Sequence, residues 1–364
     1  MAETITRITP AIVTVSEKTK WFFIELETSD GMRGIGEATR FGHEDALLAV
    51  SRELAKMLQG RSEDEIDALV RYDAKTGATP RAVISATEQA LWDIRGKRAG
   101  VPVHQLLGGA VRDQIPIYAN INRRTDDRTP DGFVAGAEHA LAAGYRVIKI
   151  APFDGLTPDD DDDALYDAGI ARIQAVCRAV GSDIGVMVDC HWRMNPVRAE
   201  QFIKTAGGMG LVWVECPLPE EAEFMGDLKH LHLCAAEALI LLAGGERGGG
   251  IDDFNEFLDA GIYDVVMPDV KYTGGLSETQ RISMAAGDAK VAVSPHNPSG
   301  PVAHMASLHV SAVLDNFMIL EHQFDETPLF HSLCPGAVPP VIDGNSVLPM
   351  APGLGITLDL DGLS

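Results

Sequence analysis

Apolar and polar positions alternate over residues 4–15 and 21–28, which predicts two β-strands, the second reading WFFIELET. A turn at Ser29-Asp30-Gly31 and a third short strand, GIGEA, follow. Helical periodicity then takes over at 43–59, 62–71 and 80–98, with Pro80 at the start of the last, where its missing N–H is tolerated. Strands followed by helices predict a small α+β domain, bounded here at 1–112.

From about residue 115 the rhythm changes. Short apolar runs at 115–119, 146–150, 185–189, 211–215, 239–243, 263–267, 291–294 and 317–321 alternate with amphipathic segments such as 131–143, 162–180 and 252–260. No Gly-x-Gly-x-x-Gly follows the first run, so the repeated β/α unit over 113–330 predicts a closed parallel barrel of the TIM type rather than a dinucleotide-binding sheet. The closing stretch, VIDGNSVLPMAPGLGITLD, returns to extended, turn-rich chain, and residues 331–364 are expected to pack back on the N-terminal domain. The acidic run Asp159 to Asp163 lacks the ligand spacing and distal Glu of a calcium loop and reads as the start of the next helix.

The 364 residues carry 30 basic and 53 acidic side chains, a net charge of −23 that disfavours nucleic acid and anionic membranes as partners. A hydrophobic content of 46% and a mean hydropathy of +0.02 fit a packed globular enzyme. No apolar window is long enough to span a bilayer, and the opening MAETITRITPAIV lacks the features of a signal peptide, so a cytoplasmic protein is expected. Five cysteines, Cys177, Cys190, Cys216, Cys234 and Cys334, show no disulfide or zinc spacing and read as reduced thiols.

In a barrel of this kind chemistry sits at the C-terminal ends of the strands. Reading off those ends gives Lys149, Asp189 with His191, Glu215, Glu246, Asp269, His296 and Glu321. Ionisable groups on seven successive strands would converge on one mouth, where uncompensated like charge is unfavourable. Asp189, Glu215 and Glu246 therefore imply a hard divalent cation, and oxygen-only ligands point to magnesium.

These intervals, with FFIELETSDGMRGIGEA, ALWDIRGKRAGVPVHQLLGG, KIAPF, VDCHW, WVECPLP, AGGE, PDVKYTGG, SPHNPSGPV and PGLGITLD, span nearly the whole chain. The sequence resembles the enolase superfamily, specifically its mandelate racemase-like acid-sugar dehydratases of the galactonate and mannonate type. The resemblance implies a (β/α)7β barrel beneath an N-terminal capping domain. It implies magnesium on Asp189, Glu215 and Glu246, although Glu237 competes for the third place. It also implies an Asp269–His296 dyad as base, His191 as general acid for the departing hydroxyl, and Glu321 on the substrate carboxylate. The expected reaction removes the C2 proton of an aldonate or aldarate, passes through a metal-stabilised enediolate and yields a 2-keto-3-deoxy acid. Epimerisation or lactone cycloisomerisation from the same intermediate, and a non-catalytic protein on the same fold, are the rival readings.

Two departures matter. Many relatives carry Lys-x-Lys on the second strand, whereas Lys149-Ile150-Ala151 lacks the second lysine, which weakens two-base racemisation. Tyr272 stands where cycloisomerase relatives place a lysine. In the cap, the loops 16–21 and 40–45 offer Lys20, Trp21, Arg40 and His43 for substrate recognition, with Tyr272 beside them. Relatives are commonly symmetric, so a homo-oligomer, up to an octamer, is expected.

Overall fold

The computed structural model describes residues 3–63, 65, 76–160 and 162–359. Strands β1 (Ile5–Thr14), β2 (Lys20–Thr28) and β3 (Arg33–Glu37) form an antiparallel sheet in chain order. Helices α1 (Glu44–Leu58) and α2 (Ala78–Ala99) cover it. Phe22, Ile24 and Leu26 from β2 meet Ala82, Val83, Ala86 and Ala90 from α2 in one apolar cluster. Small residues let the layers close tightly: a Cβ on Gly36 would lie 1.9 Å from the carbonyl oxygen of Ala86, so β3 rests directly on the α2 backbone. The helix expected over 62–71 falls largely outside the described residues.

The second part is a ring of parallel strands: β4 (Gln114–Asn120), β5 (Val147–Ile150), β6 (Gly185–Asp189), β7 (Trp213–Glu215), β8 (Leu241–Gly244), β9 (Val265–Val266), β10 (Ala292–Val293) and β11 (Leu320–Gln323). Each pairs with the next through β10, Val293 bridges Phe317 at the entry to β11, and β11 pairs with β4. The interior is filled by Tyr118, Met187, Trp213, Ala243, Val265, Met267 and Ile319, contributed from around the ring. A larger cluster fills the space between the strands and the outer helices.

Sequence signals explain where those helices begin. A short helix, α3 (Val103–Leu106), leads into the barrel. Thr129 caps α4 (Pro130–Ala142), and Asn195 caps α6 (Pro196–Gly207). The acidic run opens α5 (Asp163–Val180), where Asp162 accepts from the N–H groups of Ala164 and Leu165. The outer layer continues with α7 (Met225–Glu237), α8 (Ile251–Ala260), α9 (Leu276–Asp288) and α10 (Pro301–Ser311). Among the described residues no helix is long and apolar enough to cross a membrane.

Buried polar contacts join the two parts. Glu37, at the end of β3, accepts from the N–H groups of Gly300 and Ala303 at the start of α10. Glu88 accepts from Leu276 and Ser277 at the start of α9, and Gln89 donates to the carbonyl of Val270. The final segment touches both parts. Its hairpin, β12 (Val341–Ile342) and β13 (Asn345–Val347), pairs antiparallel with β4, and beyond it Leu354 N–H donates to Asp93 of α2 at 2.8 Å.

Candidate active site

The C-terminal ends of the barrel strands and the rim of the small domain enclose a cavity of ≈ 280 Å³. Lys20, Thr39 and Phe41 line it from the small domain; Lys149, Asp189, His191, Glu246, Lys271, Tyr272 and His296 line it from the barrel.

One carboxylate oxygen each from Asp189, Glu215 and Glu246 lies within 4.8 Å of the others, all three side chains being buried. Glu237, at the last turn of α7, is exposed on the outside of the barrel and takes no part. Lys149 is buried among the acids: its Nζ is 2.6 Å from Glu215 Oε1, 2.8 Å from Glu321 Oε1 and 3.9 Å from Asp189 Oδ2. One ammonium does not balance the set. Burial lifts the Glu215 carboxyl to about 8 despite Lys149. Burial, with the charges of Asp189 and Glu215, pushes Glu246 well above the usual carboxylate range. At Asp189 burial is outweighed by His191 and Lys149, which hold the carboxyl below its ordinary value. Glu246 Oε2 is buried without a hydrogen-bond partner, although His296 Nε2 lies 3.4 Å away. Hard oxygen donors, an orphaned carboxylate oxygen and excess negative charge together fit a magnesium ion.

His296 stands beside this group. Its Nδ1 is 2.8 Å from Asp269 Oδ2, and its Nε2 faces Glu246 at 3.4 Å and Glu321 at 4.0 Å. An ionised Asp269 selects the tautomer with hydrogen on Nδ1, which leaves Nε2 as the basic nitrogen on the side of the three acids. At Asp269 burial is again outweighed, here by Lys271 and His296, and the carboxyl is held low. Glu321 is anchored by Lys149, by Asn120 Nδ2 at 2.7 Å and by the Asn297 N–H at 2.8 Å.

A shared turn sets the polar ends of three strands. Asn120 accepts from the N–H of Asn122, Asp189 from that of His191 and Asp269 from that of Lys271, at 2.8–3.0 Å. His191 thus reaches the site through a turn and not along a strand: β6 ends at Asp189, and His191 has φ = 50°. The two-residue repeat of an extended strand, which would place Asp189 and His191 on one face, does not apply there. His191 Nε2 folds back to 2.9 Å from Asp189 Oδ2.

The cap residues divide. Lys20 and Tyr272 border the cavity. Trp21 does not: β2 turns it inward, where it is 1% exposed and packs on Phe23 and Phe330. Arg40 is tied to Thr79, and exposed His43 precedes α1; neither lines the cavity. Sequence reasoning overlooked Lys271, whose Nζ lies 2.9 and 2.7 Å from the two oxygens of Asp269 and bonds to Ser299. It follows Asp269 by two residues, as His191 follows Asp189, so the same spacing could have revealed it. Arg123, Asn122, Trp192 and Arg247 also border the cavity, and Arg247 stacks over the Trp192 ring at 3.5 Å.

Comparison with known proteins agrees with this geometry. Residues 132–362 match the enolase C-terminal domain-like family, and residues 2–108 match the mandelate racemase/muconate lactonizing enzyme N-terminal domain. A D-galactonate dehydratase of Verminephrobacter eiseniae is 35% identical over 83% of this chain and 78% of its own length. One from Ralstonia pickettii is 31% identical over 93% of this chain and 89% of its own. The crystal structure of a candidate dehydratase from Mesorhizobium loti superposes with a TM-score of 0.89 at 29% identity, covering 99% of this chain and 97% of that one. The chain belongs to the mandelate racemase/muconate lactonizing enzyme family of the enolase superfamily.

Proposed function

We propose that this chain is a magnesium-dependent hydro-lyase that converts a sugar acid, an aldonate or aldarate, to its 2-keto-3-deoxy acid. The observation that carries the reading is the Asp269–His296 pair set with its free nitrogen toward three convergent carboxylates. A proton next to a carboxylate is only weakly acidic, so its removal needs both an oriented base and compensation of the charge that develops. Magnesium held by Asp189, Glu215 and Glu246 would supply Lewis-acid compensation.

The remaining work falls to side chains. Asp269 orients the imidazole of His296, and Nε2 takes the C2 proton. Lys271 fixes both oxygens of Asp269 and so acts on the base through its partner. Lys149 bridges Glu215 and Glu321, with Asp189 at 3.9 Å, and contributes positive charge where the substrate carboxylate would sit. The 3-hydroxyl departs as water with a proton from His191 or His296, and the resulting enol tautomerises to the keto acid. His191 in this role would break its contact with Asp189 when substrate binds. Lys20 and Tyr272 border the cavity where distal hydroxyls would lie.

Ala151 in place of a second lysine favours elimination over two-base racemisation. The curated relatives are named for D-galactonate, which makes an aldonate the first substrate to try. The test is incubation with aldonates and aldarates in the presence of magnesium, with keto acid trapped by semicarbazide. Magnesium-dependent keto acid from one of them is expected; its absence across the set, with substrate intact, overturns the proposal.

A further inference from the structure

A second donor cluster lies outside the barrel, away from the cavity. Glu200 sits on α6, and His230 and Cys234 are one turn apart on the neighbouring α7. His230 Nε2 is 3.2 Å from Glu200 Oε2 and 3.6 Å from Cys234 Sγ, and the three donor atoms lie within 4.8 Å of one another. We infer that Glu200, His230 and Cys234 form a binding site for a thiophilic divalent cation such as zinc, clamping α6 to α7.

Hydrogen bonding accounts for this arrangement only poorly. An imidazole Nε2 has one hydrogen or one lone pair, so it serves a carboxylate and a thiol together only as one weak, shared donor. A cation at their common focus would engage all three. Zinc bonds of about 2.0–2.1 Å to nitrogen and oxygen and about 2.3 Å to sulfur give tetrahedral edges of roughly 3.3 Å and 3.6 Å. The observed N···O and N···S separations match those edges. The carboxylate is also set for single-oxygen ligation: Lys204 Nζ occupies Glu200 Oε1 and leaves Oε2 facing His230. Thiolate, imidazole and carboxylate form a mixed, soft-leaning set that selects zinc over magnesium, unlike the all-oxygen group in the barrel mouth. Thiolate and carboxylate together balance a divalent charge. Cys234 is buried, His230 is about half exposed, and a water would complete the fourth position.

The test is titration of cobalt(II) into the full-length, magnesium-saturated protein. Expected is a thiolate-to-cobalt absorption band with tetrahedral visible bands, saturating in one step, and abolished when zinc is added. Cys234→Ser should remove the thiolate band and His230→Ala should weaken binding at least tenfold, while Asp189→Asn, altered only in the barrel mouth, should retain it. Zinc should raise the melting temperature of the wild type and not of His230→Ala, a readout that stands even if Cys234→Ser folds poorly. No thiolate band in the wild type, or a band that survives Cys234→Ser, overturns the inference.

Discussion

Among single residues, His296 matters most through which of its nitrogens is free. Asp269 holds Nδ1, so His296→Asn should cut turnover by about 10²–10⁴-fold and leave KM nearly unchanged. Steady-state kinetics would check this, and a rise in KM with kcat intact would contradict it. Lys271 gives a different signature. Lys271→Met removes the ammonium from both oxygens of Asp269, leaving only His296 and the residue-271 N–H to hold the carboxylate, and kcat should fall about tenfold or more while magnesium affinity holds. Unchanged kcat would remove Lys271 from the machinery. The acids were legible in the sequence because strand-end positions are fixed by the barrel rhythm, whereas the pairing of Asp269 with His296 followed only from the family resemblance. Trp21 was misplaced because its side depends on the register of β2, which pairs it with Val13 and turns it into the core. Lys271 was passed over although its spacing from Asp269 repeats that of His191 from Asp189, and Arg123 because nothing in its local string says that this loop cation reaches the cavity.

At the scale of elements, strand and helix positions followed from apolar spacing, and the Asp159–Asp163 run did open a helix. The hairpin β12–β13 adding to β4 was not foreseen, since strands of two and three residues leave too short a periodicity to read. The convergence at Glu200, His230 and Cys234 was equally hidden, because one ligand comes from a different helix. The contact of β3 with α2 gives a sharp test. Gly36→Ala would drive a Cβ to 1.9 Å from the Ala86 carbonyl oxygen, atoms of two packed backbones. A loss of about 3 kcal/mol is expected from chemical denaturation, and a neutral result would mean that the two layers separate easily.

At the scale of the whole molecule, two ionic balances hold the design together. One is the cluster of buried histidines around α10 and β11. Burial holds His309 and His322 down to about 3, and His309 Nδ1 accepts from the His104 N–H, which requires it to be neutral. The unfolded chain binds protons that these groups refuse. Their stabilisation is therefore intact above the unfolded value of 6.5 and is lost as pH falls from there toward about 3. At about pH 5 each would remove roughly 2 kcal/mol. Urea unfolding at neutral and mildly acid pH checks this, and equal stability at both would contradict it.

The other balance is the barrel mouth, where the proposed reaction would need His296, the acids and a cation to act together on one carbon. The most direct measurement is proton NMR in D2O of the magnesium-loaded enzyme with D-galactonate and, if that is inert, the other sugar acids. Loss of the C2 proton signal is expected together with a 2-keto-3-deoxy product carrying solvent deuterium at C3. Deuterium at C2 of an otherwise unchanged acid, with no keto acid formed, would keep His296 as a base and contradict dehydration.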